Sequence, residues 1–98
     1  MIYADLNYSG EYYDKHDELV AYLMEHFETL QHGHQCDSWI WIFSGDDKVA
    51  IDSFSSMQHQ VKSESNNHAF IAKVLDIIAQ RYTFTIYSEP ELEPHEEI

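Results

Sequence analysis

The sequence predicts an α+β fold: a mostly antiparallel sheet of four to five strands packed against two helices, in the order β-α-β-β-(β)-α-β. Three observations carry this. "IYADLNY" alternates apolar and polar residues, the period of a half-buried strand. Two later stretches, one around Leu19–Leu30 and one around Phe70–Tyr82, repeat with the helical period. Between them "SWIWIFSGDDKVAIDSF" reads as two strands joined by a turn. A ferredoxin-like split βαβ unit is one candidate arrangement for that order.

The elements follow in turn. In the first strand Ile2, Ala4, Leu6 and Tyr8 fall on one side, and Tyr3, Asp5 and Asn7 on the other. Ser9-Gly10 breaks it. The first helix is expected from Glu11 or Asp14 to about Leu30. Leu19, Leu23, Phe27 and Leu30 lie on one arc, and Glu11, Asp14, Glu18, Glu25 and Glu28 form a carboxylate stripe on the other. "QHGHQCD" is expected to be a loop. In the next strand Trp39, Trp41 and Phe43 share one face and Ile40 and Ile42 the other, which suggests a central strand covered on both sides, with the tryptophans in the core. Gly45 with Asp46 and Asp47 supplies hairpin chemistry. "SSMQHQVKSES" alternates weakly, with Met57, His59 and Val61 on one side, and is read as a polar strand at a sheet edge. Asn66 or Asn67 caps the second helix, whose arc is Phe70, Ile71, Val74, Leu75, Ile77, Ile78 and Tyr82. "TFTIY" is the last strand, ended by Pro90 and Pro94. Residues 1–87 are thus read as one domain and 88–98 as an acidic, flexible tail.

Composition bounds the class. The chain has 98 residues, 44% of them hydrophobic and 14% aromatic, enough for one packed core. Its single cysteine, Cys36, excludes an internal disulfide and favours a reducing compartment. No secretory leader is read at the start, and no apolar run approaches a membrane span. The expected location is cytoplasmic.

The formal net charge is −13. Residues 88–98 carry five Glu and no base, which leaves 13 acids against 5 bases over residues 1–87. Most of the excess therefore belongs to the domain. Such a charge repels nucleic acid and anionic membrane and speeds encounter with a basic protein. Direct nucleic-acid binding draws on Lys and Arg and is not expected.

No residues form a catalytic constellation, and the three glycines, at 10, 33 and 45, are scattered rather than gathered in a phosphate loop. His16, Asp17 and Glu18 are adjacent on a helix, where neighbours do not face one another. The chain is not read as an enzyme, and no cofactor is expected. His32, His34 and Cys36 are metal-ligand types, but their alternation in one loop lacks the paired spacing of a structural zinc site, so a metal there is only a weak alternative. The candidate partner-binding residues are Tyr12, Tyr13 and Asp14, which form a tyrosine and acid cluster, with Glu18 and Glu25 on the helix and Asp46, Asp47 and Asp52 around the hairpin. Tyrosine offers contact area with a polar tip, and the carboxylates suit Arg or Lys on a partner.

A small acidic α+β chain with the aromatic hairpin "SWIWIFSGDDKVAIDSF", the polar strand "SMQHQVKS" and the apolar helix "NNHAFIAKVLDIIAQRY" resembles the immunity proteins of bacterial toxin–immunity pairs, in particular those of contact-dependent growth inhibition. The resemblance implies a cytoplasmic inhibitor that binds a toxin domain, commonly a basic nuclease, and occludes its active site or substrate surface. It assigns no individual residue. Two other readings use the same features: a nucleic-acid mimic that targets a DNA-binding protein, and a small metal-binding regulatory domain using His32, His34 and Cys36.

Overall fold

The computed structural model describes residues 1–8, 12–34, 37–53, 58–64 and 67–91, with the side chains of residues 12–14 and 88–91 outside the description. Along the chain lie β1 (Ile2–Asn7), α1 (Tyr12–Met24), β2 (Leu30–His34), β3 (Ser38–Ser44), β4 (Asp47–Asp52), β5 (Gln60–Lys62), α2 (His68–Ala79) and β6 (Thr83–Glu91). The strands form one six-stranded sheet in the order β2-β3-β4-β5-β1-β6. Every neighbouring pair is antiparallel. The α+β class holds, with six strands instead of four to five. The helices cross from β1 to β2 and from β5 to β6, and β1 lies between the last two. The crossovers thus interleave in the split βαβ manner, but a four-strand meander separates them where a ferredoxin-like unit has a hairpin.

Both helices cover one face of the sheet. Ala4, Leu6, Ile40, Ile42, Val49, Ile51 and Val61 point into a core with Leu19, Val20, Tyr22 and Leu23 of α1 and Phe70, Ile71, Val74 and Ile78 of α2. The helices also meet directly, where the Tyr22 hydroxyl donates to the Ile77 carbonyl at 2.5 Å. The alternation expected in β1 and the apolar arc expected in α2 are both present. Asn67 is the N-cap: its Oδ1 accepts from the Phe70 amide at 3.1 Å. The β3–β4 turn is the two-residue loop Gly45–Asp46. Gly45 has φ 60, and among the described residues no non-glycine has positive φ, the pattern of a type II′ turn.

Several elements differ from expectation, each for a physical reason. The segment read as a loop holds β2, because Gly33 does not break the chain. It faces Trp39 across the ladder, and a Cβ there would lie 2.4 Å from the indole. α1 accordingly stops at Met24, and Leu30 belongs to β2. The polar strand is not at the edge. β5 lies between β4 and β1 and is buried, because its polar side chains find partners across the strands: Lys62 binds Asp52 and Gln60 binds Asp5. Met57, read on that strand, lies outside the described residues. The last strand does not stop before Pro90. β6 runs to Glu91, and as the edge strand it has an open side on which an imide nitrogen breaks no ladder bond. It thereby takes residues 88–91 of the expected tail, and residues 92–98 lie outside the described residues. Finally, Trp39, Trp41 and Phe43 are half-buried on the helix-free face, so β3 is covered on one side only.

Candidate partner-binding site

β3 runs the length of the sheet, from Ser38 at one end to Ser44 at the other. The Ser44 end gathers three chain reversals: residues 25–29 between α1 and β2, the Gly45–Asp46 turn, and the residues that follow β5. Connections at the ends of a sheet take the polar residues that its strands exclude, so acids collect there.

Three open depressions mark this end. The largest, about 650 Å³, has Phe27, Phe43 and Phe70 among its lining, with Glu28 and His26 at the α1–β2 connection and Lys73 on α2. The next, about 490 Å³, shares Glu28 and adds Glu25. The third, about 310 Å³, is formed by Asp46, Asp47, Lys48 and Glu64. The surface therefore combines a phenylalanine floor with the carboxylates of Glu25, Glu28, Asp46, Asp47 and Glu64. Asp47 accepts from the Asn67 side chain at 2.7 Å, which links the turn to the α2 cap. The Ser63 hydroxyl donates to the Lys48 carbonyl at 2.7 Å and ties β5 to the same corner.

The cations here are already engaged. Lys48 Nζ lies 4.4 Å from the Trp41 ring centroid, and Lys73 Nζ lies 5.8 Å from that of Phe27. Elsewhere Lys15 and Arg81 both pair with Glu18, at 3.5 and 3.4 Å. Lys62 pairs with Asp52 at 2.5 Å, with both side chains nearly sealed from solvent. The exposed carboxylates of Asp17, Glu25, Glu28, Asp46, Glu64 and Asp76 form no ion pair with any of these five cations.

The expected partner-binding residues divide accordingly. Glu25, Asp46 and Asp47 come together at the acidic end. Glu28 and Glu64 join them. In the sequence Glu28 belongs only to the helical stripe and Glu64 to no cluster, because neither approaches the turn along the chain. Glu18 is half-buried beside Arg81 and Tyr82, whose phenol is pushed up to about 12 by burial first and then by the Glu18 carboxylate. Asp52 is buried against Lys62 on the helix-free face and presents no carboxylate to a partner, contrary to expectation. Tyr12, Tyr13 and Asp14 occupy the first turn of α1, and their side chains lie outside the described residues.

At the opposite end of the sheet the histidines assemble differently from expectation. His16 Nδ1 and His59 Nε2 each form a 2.6 Å hydrogen bond with the Ser38 hydroxyl. His59 Nδ1 bonds the Tyr8 hydroxyl at 2.8 Å, and His16 Nε2 bonds His32 Nδ1 at 3.2 Å. His34 stacks on His16 with centroids 4.6 Å apart. His32 and His34 are thus neighbours of a buried imidazole chain and not ends of a loop. Among the described residues no three His, Cys, Asp or Glu are placed to hold a metal, and Cys36 lies outside them. A hydroxyl between two imidazoles has the outline of an activated nucleophile. Ser38, however, has no exposed surface, so its oxygen meets no substrate in this conformation. Among the described residues no helix is long and apolar enough to cross a membrane.

Comparison with protein families, with curated proteins and with solved structures returned no match.

Proposed function

We propose that this protein is a stoichiometric inhibitor of the immunity-protein kind: a cytoplasmic binder that neutralises a basic nuclease toxin domain by lying over its active site or substrate surface. It acts by binding, without turnover or cofactor. The observation that carries the proposal is the acidic end. Five carboxylates are distributed over three neighbouring depressions there, Glu28 within the one lined by phenylalanines, while the two local lysines lie over aromatic rings. A nuclease surface is basic because its substrate is a polyanion. Carboxylates concentrated beside apolar rings can steer such a surface in and then hold an Arg or Lys whose stem lies on phenylalanine. A nucleic-acid mimic would need carboxylates spaced along a track. These are clustered at one end, which favours the first reading.

The test is to recover the native partner by copurification from the source cell and to titrate that basic domain against the purified protein while nucleic-acid cleavage is followed. Cleavage is expected to fall to background at one equivalent; undiminished cleavage at saturating protein overturns the proposal. The site is tested by the triple charge reversal Glu25→Lys, Glu28→Lys, Asp46→Lys, which spares the Asp47–Asn67 bond. Association at low salt should slow by about tenfold or more. Glu18→Lys should leave the rate nearly unchanged. Equal effects of the two variants would remove the acidic end as the interface.

A further inference from the structure

The buried imidazole chain has no part in that proposal, yet it joins five segments of the fold: Tyr8 after β1, His16 on α1, His32 on β2, Ser38 on β3 and His59 ahead of β5. His16, Ser38 and His59 are almost wholly excluded from solvent. We propose that this chain is a proton-operated latch that fastens α1 and β2 to the sheet at neutral pH and releases them on mild acidification.

Donor and acceptor counting gives the mechanism. A neutral imidazole donates once and accepts once, and the Ser38 hydroxyl has a single proton to donate. The neutral chain therefore runs with one polarity, from His32 through His16, Ser38 and His59 to Tyr8, or the reverse. One added proton on His59 can be absorbed by turning the hydroxyl: His59 donates to Ser38, Ser38 to His16, and His16 to His32. A second proton, on His16, would aim two ring N–H groups at the same oxygen and leave the hydroxyl proton with no acceptor in the chain. It would also place two imidazolium rings on one buried atom, where charge is poorly solvated.

The surroundings oppose protonation. The groups that face the two inner rings are His32 and His34 from β2, Ser38 from β3, Tyr8 from the end of β1, and Asp17 from α1, while Lys15 lies farther out, over the Tyr8 ring. Ser53, after β4, supports Ser38 through its hydroxyl, which accepts the Ser38 amide at 3.1 Å. Burial, followed by His16 and His34, lowers His59 to about 4. Burial, followed by His34 and His32, also lowers His16, and Asp17 opposes this. Released rings titrate near their ordinary value of about 6.5, so the open state binds more protons below that pH. The latch is at full strength above pH 6.5 and is lost as pH falls toward about 4. Release should be local. α1 packs on β2 and β3, whereas α2 packs on β4 and β6 and contributes nothing to the chain.

The test is amide hydrogen exchange of the whole protein by NMR from pH 7 to about 3.5, expressed as protection factors. In the wild type, protection across residues 16–20 and 31–34 should fall between about tenfold and a hundredfold per pH unit, for one or two protons taken up on opening. Residues 70–78 of α2 should keep theirs. His59→Gln, which supplies one donor and one acceptor without a titrating ring, should flatten the response. Uniform loss that includes α2, no loss, or an equally steep loss in His59→Gln each overturns the latch. Should that variant fail to fold, the wild-type ring nitrogen shifts decide. A His59 midpoint near 4, concurrent with the loss of protection, supports the latch. A midpoint near the unperturbed value of about 6.5, with the amides still closed, overturns it. A rise in thermal stability with micromolar zinc would make the cluster a metal centre and also overturn the latch.

Discussion

Asp52 and Lys62 show how far a single residue can stand from its apparent character. Each is charged and lies in a polar or mixed stretch, yet the pair is sealed inside the helix-free face with 2.5 Å between ammonium and carboxylate. In the sequence Asp52 looks available to a partner because its cation is ten residues away and is brought opposite only by the β4–β5 ladder. Desolvation makes such a pair fragile to one-sided change. Lys62→Met should cost roughly 3–5 kcal/mol, since it takes the ammonium away from a buried carboxylate. The double variant Lys62→Met, Asp52→Leu should recover most of that loss. Urea unfolding of the three proteins measures both steps, and equal stability of the single and double variants would show that the pair is not the buried unit described here.

At the scale of elements, periodic segments were legible and paired segments were not. β1 and α2 bury the faces that their alternation and helical arc predict. β2 and β5 carry little hydrophobic pattern and are strands only because a neighbour completes them. Gly33 gives Trp39 room, and the Gln60 amide nitrogen and Lys62 ammonium of β5 are met from β1 and β4. A pattern within five residues cannot encode a contact made across the sheet. The α2 cap is a local feature that sequence does encode, and its energetic role is open to test. Asn67→Ala removes both the acceptor for the Phe70 amide and the donor to Asp47. It should cost about 1 kcal/mol, near the middle of the range for N-cap loss. Asn67→Asp keeps the cap acceptor but turns the Asp47 contact into a repulsion, so thermal unfolding should place it between Asn67→Ala and wild type.

For the whole molecule, charge was the most legible property and its layout the least. The excess over residues 1–87 follows from counting, but which carboxylates meet depends on three reversals coming to one end of the sheet. Since the five cations already lie on internal acids or aromatic rings, added salt acts chiefly on the surplus negative charge. Two opposite responses are expected. Raising NaCl from low to about 0.5 M should screen self-repulsion and raise the melting temperature; each 1 kcal/mol relieved corresponds to roughly 4–8 °C in a domain of this size. The same salt should weaken association with a basic partner. A melting temperature that falls with salt would mean that the surface is held together by its ion pairs instead of being strained by its surplus.

The two indoles of the chain sit on one strand and one face, with centroids 4.4 Å apart and the Lys48 ammonium over one of them. Their ultraviolet emission and near-ultraviolet dichroism consequently originate from a single spot on the helix-free face. The molecule carries a native optical gauge there: a ligand that draws Lys48 away will alter the signal with no dye attached, and so will a release of β2, through the Trp39 ring that packs on Gly33.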